Sequence, residues 1–284
     1  MIGIDSDGTV FDSMEIKHKR VFQPLACDIW ALGEIATDYY HIAESINLYS
    51  TDRGVNRFQG LAMAFDRLAE QSKVASRILE GHTDLSEFVL SGAPLSADSL
   101  AAYNSDKHSD FLDKVQQWSQ RSDALYEEIM EQEGTPTYPR VKTILERASK
   151  YAELMVISSS SGESLKQDWG TAGLTAVISK VYGQEEGNKS IQLRSALATQ
   201  SPSKGALMIG DAPGDLEAAR DNEILFYPII PGLETESWER FETESLERFL
   251  SGNYDRQYEQ ELLTKFKNAL SPAEVWPLTK QVTP

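Results

Sequence analysis

Residues 2–10, Ile-Gly-Ile-Asp-Ser-Asp-Gly-Thr-Val, decide how the rest of the chain is read. Three residues long enough only for a short strand run directly into Asp5 and Asp7, and Asp7 is followed by Gly8, a pair that favours a tight turn. In open parallel sheets the ligand lies beyond the carboxyl ends of the strands, so carboxylates immediately after an apolar strand are the first place to look for chemistry.

Working outward, the pattern from about Glu15 to about Gly134 is helical and contains no convincing strand; Leu112, Val115, Trp118, Leu125 and Ile129 recur at helical spacing in its last long piece. After the turn-forming Gly-Thr-Pro-Thr-Tyr-Pro at 134–139 the rhythm becomes helix, strand, helix, strand. Apolar strands are expected at 154–158 (LMVIS), 175–179 (TAVIS), 206–210 (ALMIG) and 224–230 (ILFYPII). Continuous apolar strands suit a parallel sheet covered on both faces. The fold class expected is therefore α/β, with a Rossmann-like parallel sheet split in sequence into 1–14 and 135–284 and an all-helical domain, 15–134, inserted between the pieces. Beyond Pro231, Tyr254, Tyr258, Leu262, Phe266 and Leu270 fall four residues apart, one stripe of an amphipathic helix that reads as core packing.

The chain has 284 residues, 40% of them hydrophobic, enough for one large core or two moderate ones. Its one cysteine, Cys27, has no partner for an intramolecular disulfide, and no secretory leader is read at the N-terminus, which together point to the reducing cytoplasm. No apolar run approaches the roughly 18 residues a membrane helix needs. A formal net charge of −17 argues against nucleic acid or an anionic membrane as a partner, because both are bound by basic surfaces.

Polar residues that follow the expected strands form one set: Asp5 and Asp7, Ser158, Lys189, and Asp211 with Asp215. Three converging carboxylates require a cation, and oxygen ligands are what Mg²⁺ prefers. Each piece also has a plainer reading. Asp-x-Asp-Gly is a common turn, Ser158 opens a run of four serines, and Asp211 or Asp215 could cap a helix.

In order along the chain, these segments resemble the motifs of the haloacid dehalogenase (HAD) superfamily. Asp5-Ser6-Asp7-Gly8-Thr9-Val10 is similar to its first motif, Ser158 to the second, Lys189 to the third, and Gly210-Asp211-Ala212-Pro213-Gly214-Asp215 to the GDxxxD form of the fourth. The helical block coincides with the cap that the family inserts between motifs one and two. Two departures stand out: the strand before Asp5 begins almost at Met1, where relatives usually carry a few more apolar residues, and Ser190 replaces the proline that often follows the lysine. Lys180 competes for the third motif, but Lys189 is preferred because Gly-Asn-Lys-Ser is a polar loop opening a helix, where a lysine reaches a phosphate beside free amides.

The resemblance implies a Mg²⁺-dependent phosphohydrolase acting on a small phosphorylated metabolite. Asp5 would be the nucleophile and Asp7 the general acid and base; Mg²⁺ would be held by the Asp5 carboxylate, the Asp7 carbonyl and Asp211, with Asp215 orienting that shell. Thr9, Ser158, Ser159 and Lys189 would hold the phosphate. An acid two residues after the nucleophile protonates an oxygen leaving group, which disfavours dehalogenase and phosphonatase activity. A phosphomutase and a catalytically silent binding protein are the alternatives. Within the helical block, Arg53 and Arg57 lie around Gly54 and could bind a second anionic group of the substrate, although plain surface arginines are the preferred reading; Lys17, His18, Lys19 and Arg20 form a further basic cluster.

Overall fold

The computed structural model describes residues 1–199 and 205–272. Residues 200–204 and 273–284, assigned from sequence to the α/β core, lie outside the described residues. The chain divides into two compact units, one made of Met1–Met14 with Gly134–Ser271 and the other of Glu15–Glu133.

The first unit is built on five parallel strands: β1 (Ile2–Ile4), β2 (Leu154–Ile157), β3 (Lys180–Tyr182), β4 (Leu207–Gly210) and β5 (Leu225–Pro228), in the order β3-β2-β1-β4-β5. The N-terminal strand is thus central, with Ile4 in register with Val156 on one side and Ile209 on the other. Alternate residues feed two cores. Ile2, Ile4, Leu154, Val156, Leu207 and Ile209 pack with Ile144, Trp169 and Trp238 on one face. Met155, Ile157, Met208 and Phe226 pack with Leu193, Ala218 and Phe266 on the other. Burial on both faces is why these strands read as unbroken apolar runs, and each such side chain contributes about 1.5–3 kcal/mol.

Gly3 sets the spacing of one layer. A Cβ at this position would stand 3.1 Å from Leu193, on the helix Lys189–Leu197, and 3.2 Å from Ile157 and Met208. Glycine in the central strand therefore lets that helix, which begins with Lys189, settle close against the sheet.

One strand differs from the sequence expectation. Thr175–Val177 is a 3₁₀ turn, and the sheet is joined instead by Lys180–Tyr182, with Ile157 paired to Tyr182. Short apolar runs do not distinguish a strand from a helical turn by period. Here Leu174 and Tyr182 are the buried anchors while Thr175 and Ala176 are exposed, so the paired strand begins five residues later than expected, at Lys180. Lys180 consequently opens an edge strand rather than ending one.

At the opposite edge the expected stripe of the C-terminal helix Arg256–Ala269 is buried, and its neighbourhood closes β5. Glu259 accepts from the Phe226 amide at 2.6 Å and Tyr254 donates to the Phe226 carbonyl at 2.7 Å, so side chains take up backbone groups that an open edge would leave exposed. Arg220 and Arg256, each 2.9 Å from Glu259, neutralise that buried carboxylate.

The described residues of the second unit form helices and turns. Trp30, Phe65, Phe111, Trp118, Phe58 and Phe88 centre its core. Along the helix Asp110–Glu133 the buried stripe runs through Leu112, Val115 and Trp118 and then Ser122, Tyr126 and Met130. Leu125 and Ile129, expected on that stripe, flank it half-buried. Four-residue steps overshoot the 3.6-residue turn, so the stripe winds around a helix of this length. No described helix is long and apolar enough to cross a membrane.

Candidate active site

The loop after β1 is fixed by its own backbone and by two tryptophans. The Asp5 amide donates to the Ile209 carbonyl at 2.9 Å, continuing the β1–β4 ladder, and the amides of Val10 and Phe11 both donate to the Ser6 carbonyl. Trp169 donates to the Ser6 hydroxyl at 3.1 Å and Trp238 to the Thr9 carbonyl at 2.8 Å. Neither indole is solvent-exposed, so each hydrogen bond both satisfies a buried N–H and pins the loop.

Asp5, Asp211 and Asp215 converge: each offers a carboxylate oxygen, and those oxygens lie within 4.8 Å of one another. Lys189 joins them from the first turn of its helix, with Nζ 2.9 Å from Asp5 and 2.6 Å from Asp215. The Asp215 carboxylate also accepts from the Ala212 amide at 3.0 Å, so the helix-cap reading and the site reading hold together for this residue. Its approach requires Gly210, where a Cβ would lie 2.4 Å from the Asp215 carboxyl carbon. Asp211 is held by the Thr9 hydroxyl, which donates to it at 2.8 Å.

Three acids and one ammonium in a buried site leave excess negative charge. Burial pushes the Asp5 carboxyl well above the usual carboxylate range, against the pull of Lys189 and with added repulsion from Asp215 and Asp211. Asp215 is raised for the same leading reason, burial, opposed by Lys189. Burial disfavours the charged form of Lys189 too, but Asp215 and Asp5 outweigh it and raise the ammonium's pKa.

Asp7 faces a different set of partners. The Ser13 hydroxyl donates to one of its oxygens and the Ser160 hydroxyl to the other, the latter at 2.8 Å. Ser158 is buried and its hydroxyl accepts from the Ser160 amide at 3.2 Å.

Asp5, Lys189, Asp211 and Asp215 therefore come together, with Asp7 and Ser158 on adjoining loops. Other expectations are corrected. Thr9 is completely buried and its hydroxyl is committed to Asp211, so it orients a carboxylate and is not a phosphate contact. Ser159 is exposed; the serine that reaches Asp7 is Ser160, hidden from sequence reading by the four-serine run. Ser13 was missed likewise, although its position at the end of the acidic loop is a usable signal. Lys180 is exposed, its Nζ 4.3 Å from the centre of the Tyr182 ring, which favours Lys189 as expected.

The two arginines do not form an open anion site. Arg53 is buried and donates to the Leu48 carbonyl at 2.9 Å, while Arg57 makes a bidentate pair with Asp123 at 2.5 and 3.1 Å. The basic cluster is also engaged within its unit: Lys17 lies over the Tyr126 ring, His18 is buried edge-to-face on Phe22, Lys19 bonds Glu15 and Tyr49, and Arg20 pairs with Glu133.

Known proteins resemble this chain in part of its sequence and in its fold. A family model described as haloacid dehalogenase-like hydrolase matches residues 88–228, a range that holds Ser158, Lys189, Asp211 and Asp215. Among solved structures, a candidate phosphoglycolate phosphatase from Lactobacillus delbrueckii subsp. bulgaricus is 13% identical, with 89% of this chain and 97% of that one covered at a TM-score of 0.51. A haloacid dehalogenase-like family hydrolase from Streptococcus pneumoniae is 16% identical over 84% of this chain and 90% of its own, at a TM-score of 0.46. A candidate phosphoglycolate phosphatase from Lactobacillus plantarum is 13% identical over 84% and 89%, at 0.43. No curated protein matches the chain. The matched family model and the ordered motifs agree that over residues 88–228 the chain is similar to the haloacid dehalogenase-like hydrolases, on a five-stranded parallel α/β core.

Proposed function

We propose that this hydrolase is a Mg²⁺-dependent phosphatase that acts on a small phosphorylated metabolite through an aspartyl-phosphate on Asp5. The observation that carries the reading is the convergence of the Asp5, Asp211 and Asp215 carboxylates, two of which, Asp5 and Asp215, pair with the Lys189 ammonium. The donor set fits a hard dication, because it is all carboxylate and because burial already holds the Asp5 and Asp215 carboxyls above their ordinary range for want of positive charge. Asp5, Asp211 and the Asp7 carbonyl would hold the ion, with Asp215 orienting them from its place between Lys189 and the Ala212 amide. When bound, Mg²⁺ neutralises charge on both nucleophile and phosphate so that two anions can meet.

The chain's own residues then divide the work. An Asp5 oxygen attacks phosphorus, and the bond from phosphorus to the leaving oxygen breaks. Asp7, protonated, gives that oxygen its proton; the Ser13 and Ser160 hydroxyls fix the direction in which the carboxyl points. In the second step Asp7 takes a proton from water, water attacks phosphorus, and the bond to Asp5 breaks to release inorganic phosphate. Lys189 and the Ser158 hydroxyl stabilise the equatorial oxygens of the transferred group, where transition-state charge is spread. The inserted helical unit is the part of the chain left to select the leaving group.

The test is release of phosphate from p-nitrophenyl phosphate with Mg²⁺ and with excess chelator, followed by a panel of phosphorylated metabolites. Turnover only with Mg²⁺ is expected. Undiminished turnover in chelator would reject the assignment.

A further inference from the structure

Gln192 lies one turn into the helix that Lys189 begins, is completely buried, and belongs to none of the family-like motifs. Its Nε2 donates to three carbonyls at nearly equal distance: Ser158 at 2.9 Å, Gly183 at 2.8 Å and Gly187 at 2.8 Å. These come from three separate places: the loop after β2, the turn after β3, and the turn that leads into Lys189. The opposite amide orientation would set an oxygen against three carbonyl oxygens, so the network itself fixes the donor. The amide has two hydrogens for three acceptors, which makes at least one bond shared. Its Oε1 is meanwhile buried with no hydrogen-bond partner.

That imbalance is informative. An apolar side chain of the same length would remove the unsatisfied oxygen but leave three backbone carbonyls without this donor, so the glutamine ties the loops together at the cost of one orphaned oxygen. What the donor does supply is geometry. The Ser158 amide already donates to the Tyr182 carbonyl at 3.1 Å, and Gln192 takes the Ser158 carbonyl, so both backbone groups of that serine are held. The Gly183 turn is tied back to the same loop, where the Gln184 amide donates to the Ser160 carbonyl at 2.9 Å and Glu185 accepts from the Gly162 amide at 3.0 Å.

We infer that Gln192 is a positioning residue for phosphoryl transfer: through one amide it holds the Ser158 loop and the Lys189 turn in register, so that hydroxyl and ammonium meet the same phosphoryl group. The inference rests on the phosphatase reading above and adds to it a residue that touches neither substrate nor any of the three clustered carboxylates. Misplacing a catalytic group by about 1 Å costs about a hundredfold in rate.

The experiment compares the full-length wild type with Gln192→Met, which keeps length and volume without the donor, and Gln192→Asn, which keeps an amide one methylene short. Measured for each are kcat and KM on p-nitrophenyl phosphate, the Mg²⁺ concentration for half-maximal rate, and Tm. In Gln192→Met kcat should fall about tenfold or more while KM changes less, with Mg²⁺ dependence close to wild type and Tm lowered by only a few degrees; Gln192→Asn should be intermediate. If Gln192→Met does not fold, a lowered kcat at wild-type Tm in Gln192→Asn carries the same meaning. Wild-type kcat in a folded variant, or loss of Mg²⁺ affinity and Tm in proportion to activity, would overturn the positioning role while leaving the phosphatase reading intact. A wild-type protein that releases no phosphate from any ester would overturn both.

Discussion

Lys189 Nζ stands 2.9 Å from Asp5 Oδ1, the shortest route by which any lysine among the described residues meets the proposed nucleophile. The same ammonium is 2.6 Å from Asp215, so one positive charge is shared by two buried acids with a third, Asp211, alongside. In the proposed mechanism this ties stability, metal affinity and catalysis to the same four side chains.

Asp5→Asn should abolish phosphate release, because an amide is a poor nucleophile and a weaker metal ligand. It should also raise the Tm of the metal-free protein. Burial raises the folded-state pKa of Asp5, so its contribution to stability is present below the ordinary carboxylate range and is lost as pH rises through the raised value. The advantage of asparagine should therefore grow as pH rises from the ordinary carboxylate range towards that raised value, and the Tm gain on adding Mg²⁺ should shrink. Scanning fluorimetry across that range checks both; a metal-free Tm below wild type at neutral pH would contradict the electrostatic account.

Removing the ammonium is expected to matter far more at one lysine than at the other. Lys189→Ala should lower kcat/KM by about 10²–10³, the cost of losing one transition-state donor. Lys180→Ala, at an exposed edge-strand position, should stay within about twofold. Steady-state kinetics on one aryl phosphate decide it, and equal losses would mean that the phosphate lies elsewhere.

Asp7→Asn should separate the two chemical steps. With an aryl leaving group that needs little protonation, attack by Asp5 can proceed, but no base remains to activate water, and the aspartyl-phosphate should accumulate. Intact-protein mass spectrometry after acid quench would detect the adduct, which should be absent from the Asp5→Asn, Asp7→Asn double variant. Ser160→Ala, which removes one of the two hydroxyls on the Asp7 carboxyl, should slow kcat by about tenfold without loss of fold.

Gly210→Ala tests the packing that admits Asp215. The added methyl would sit 2.4 Å from the Asp215 carboxyl carbon, so the acid must move away from Lys189 and the Ala212 amide. A destabilisation of about 1–3 kcal/mol in urea unfolding is expected, with a higher Mg²⁺ concentration needed for half-maximal rate. A variant as stable and as active as wild type would show that the Gly210–Asp215 contact is not needed.

Much of this site was readable from residue order. The pair Asp5 and Asp7 after a three-residue strand, and Asp211 and Asp215 after Leu-Met-Ile-Gly, announce themselves because parallel strands place their C-terminal neighbours on one side of the sheet, whatever the intervening chain does. The amphipathic stripe of Tyr254, Tyr258, Leu262, Phe266 and Leu270 was legible for a similar reason: a period of nearly four residues has one helical meaning. The third strand was misplaced because TAVIS and KVY are both short enough to be strand or turn, and only pairing with Met155 and Ile157 chooses between them.

What local sequence could specify, then, was the type and order of the chemistry: acids, a serine and a lysine at strand ends, because residue identity and hydrophobic period are local properties. Tertiary structure alone decided which partners those groups keep. Thr9 faces Asp211 across 202 positions of chain and Ser160 faces Asp7 across 153. Arg53 and Arg57, on either side of Gly54 with no partner marked in the sequence, are committed to Leu48 and Asp123 once the helices pack. Gln192, with no motif to mark it, gains its three carbonyls only when three loops meet. Hydrogen-bond partners of buried groups are set by which segments arrive together, and the drive to satisfy every buried donor fixes them at that stage and no earlier.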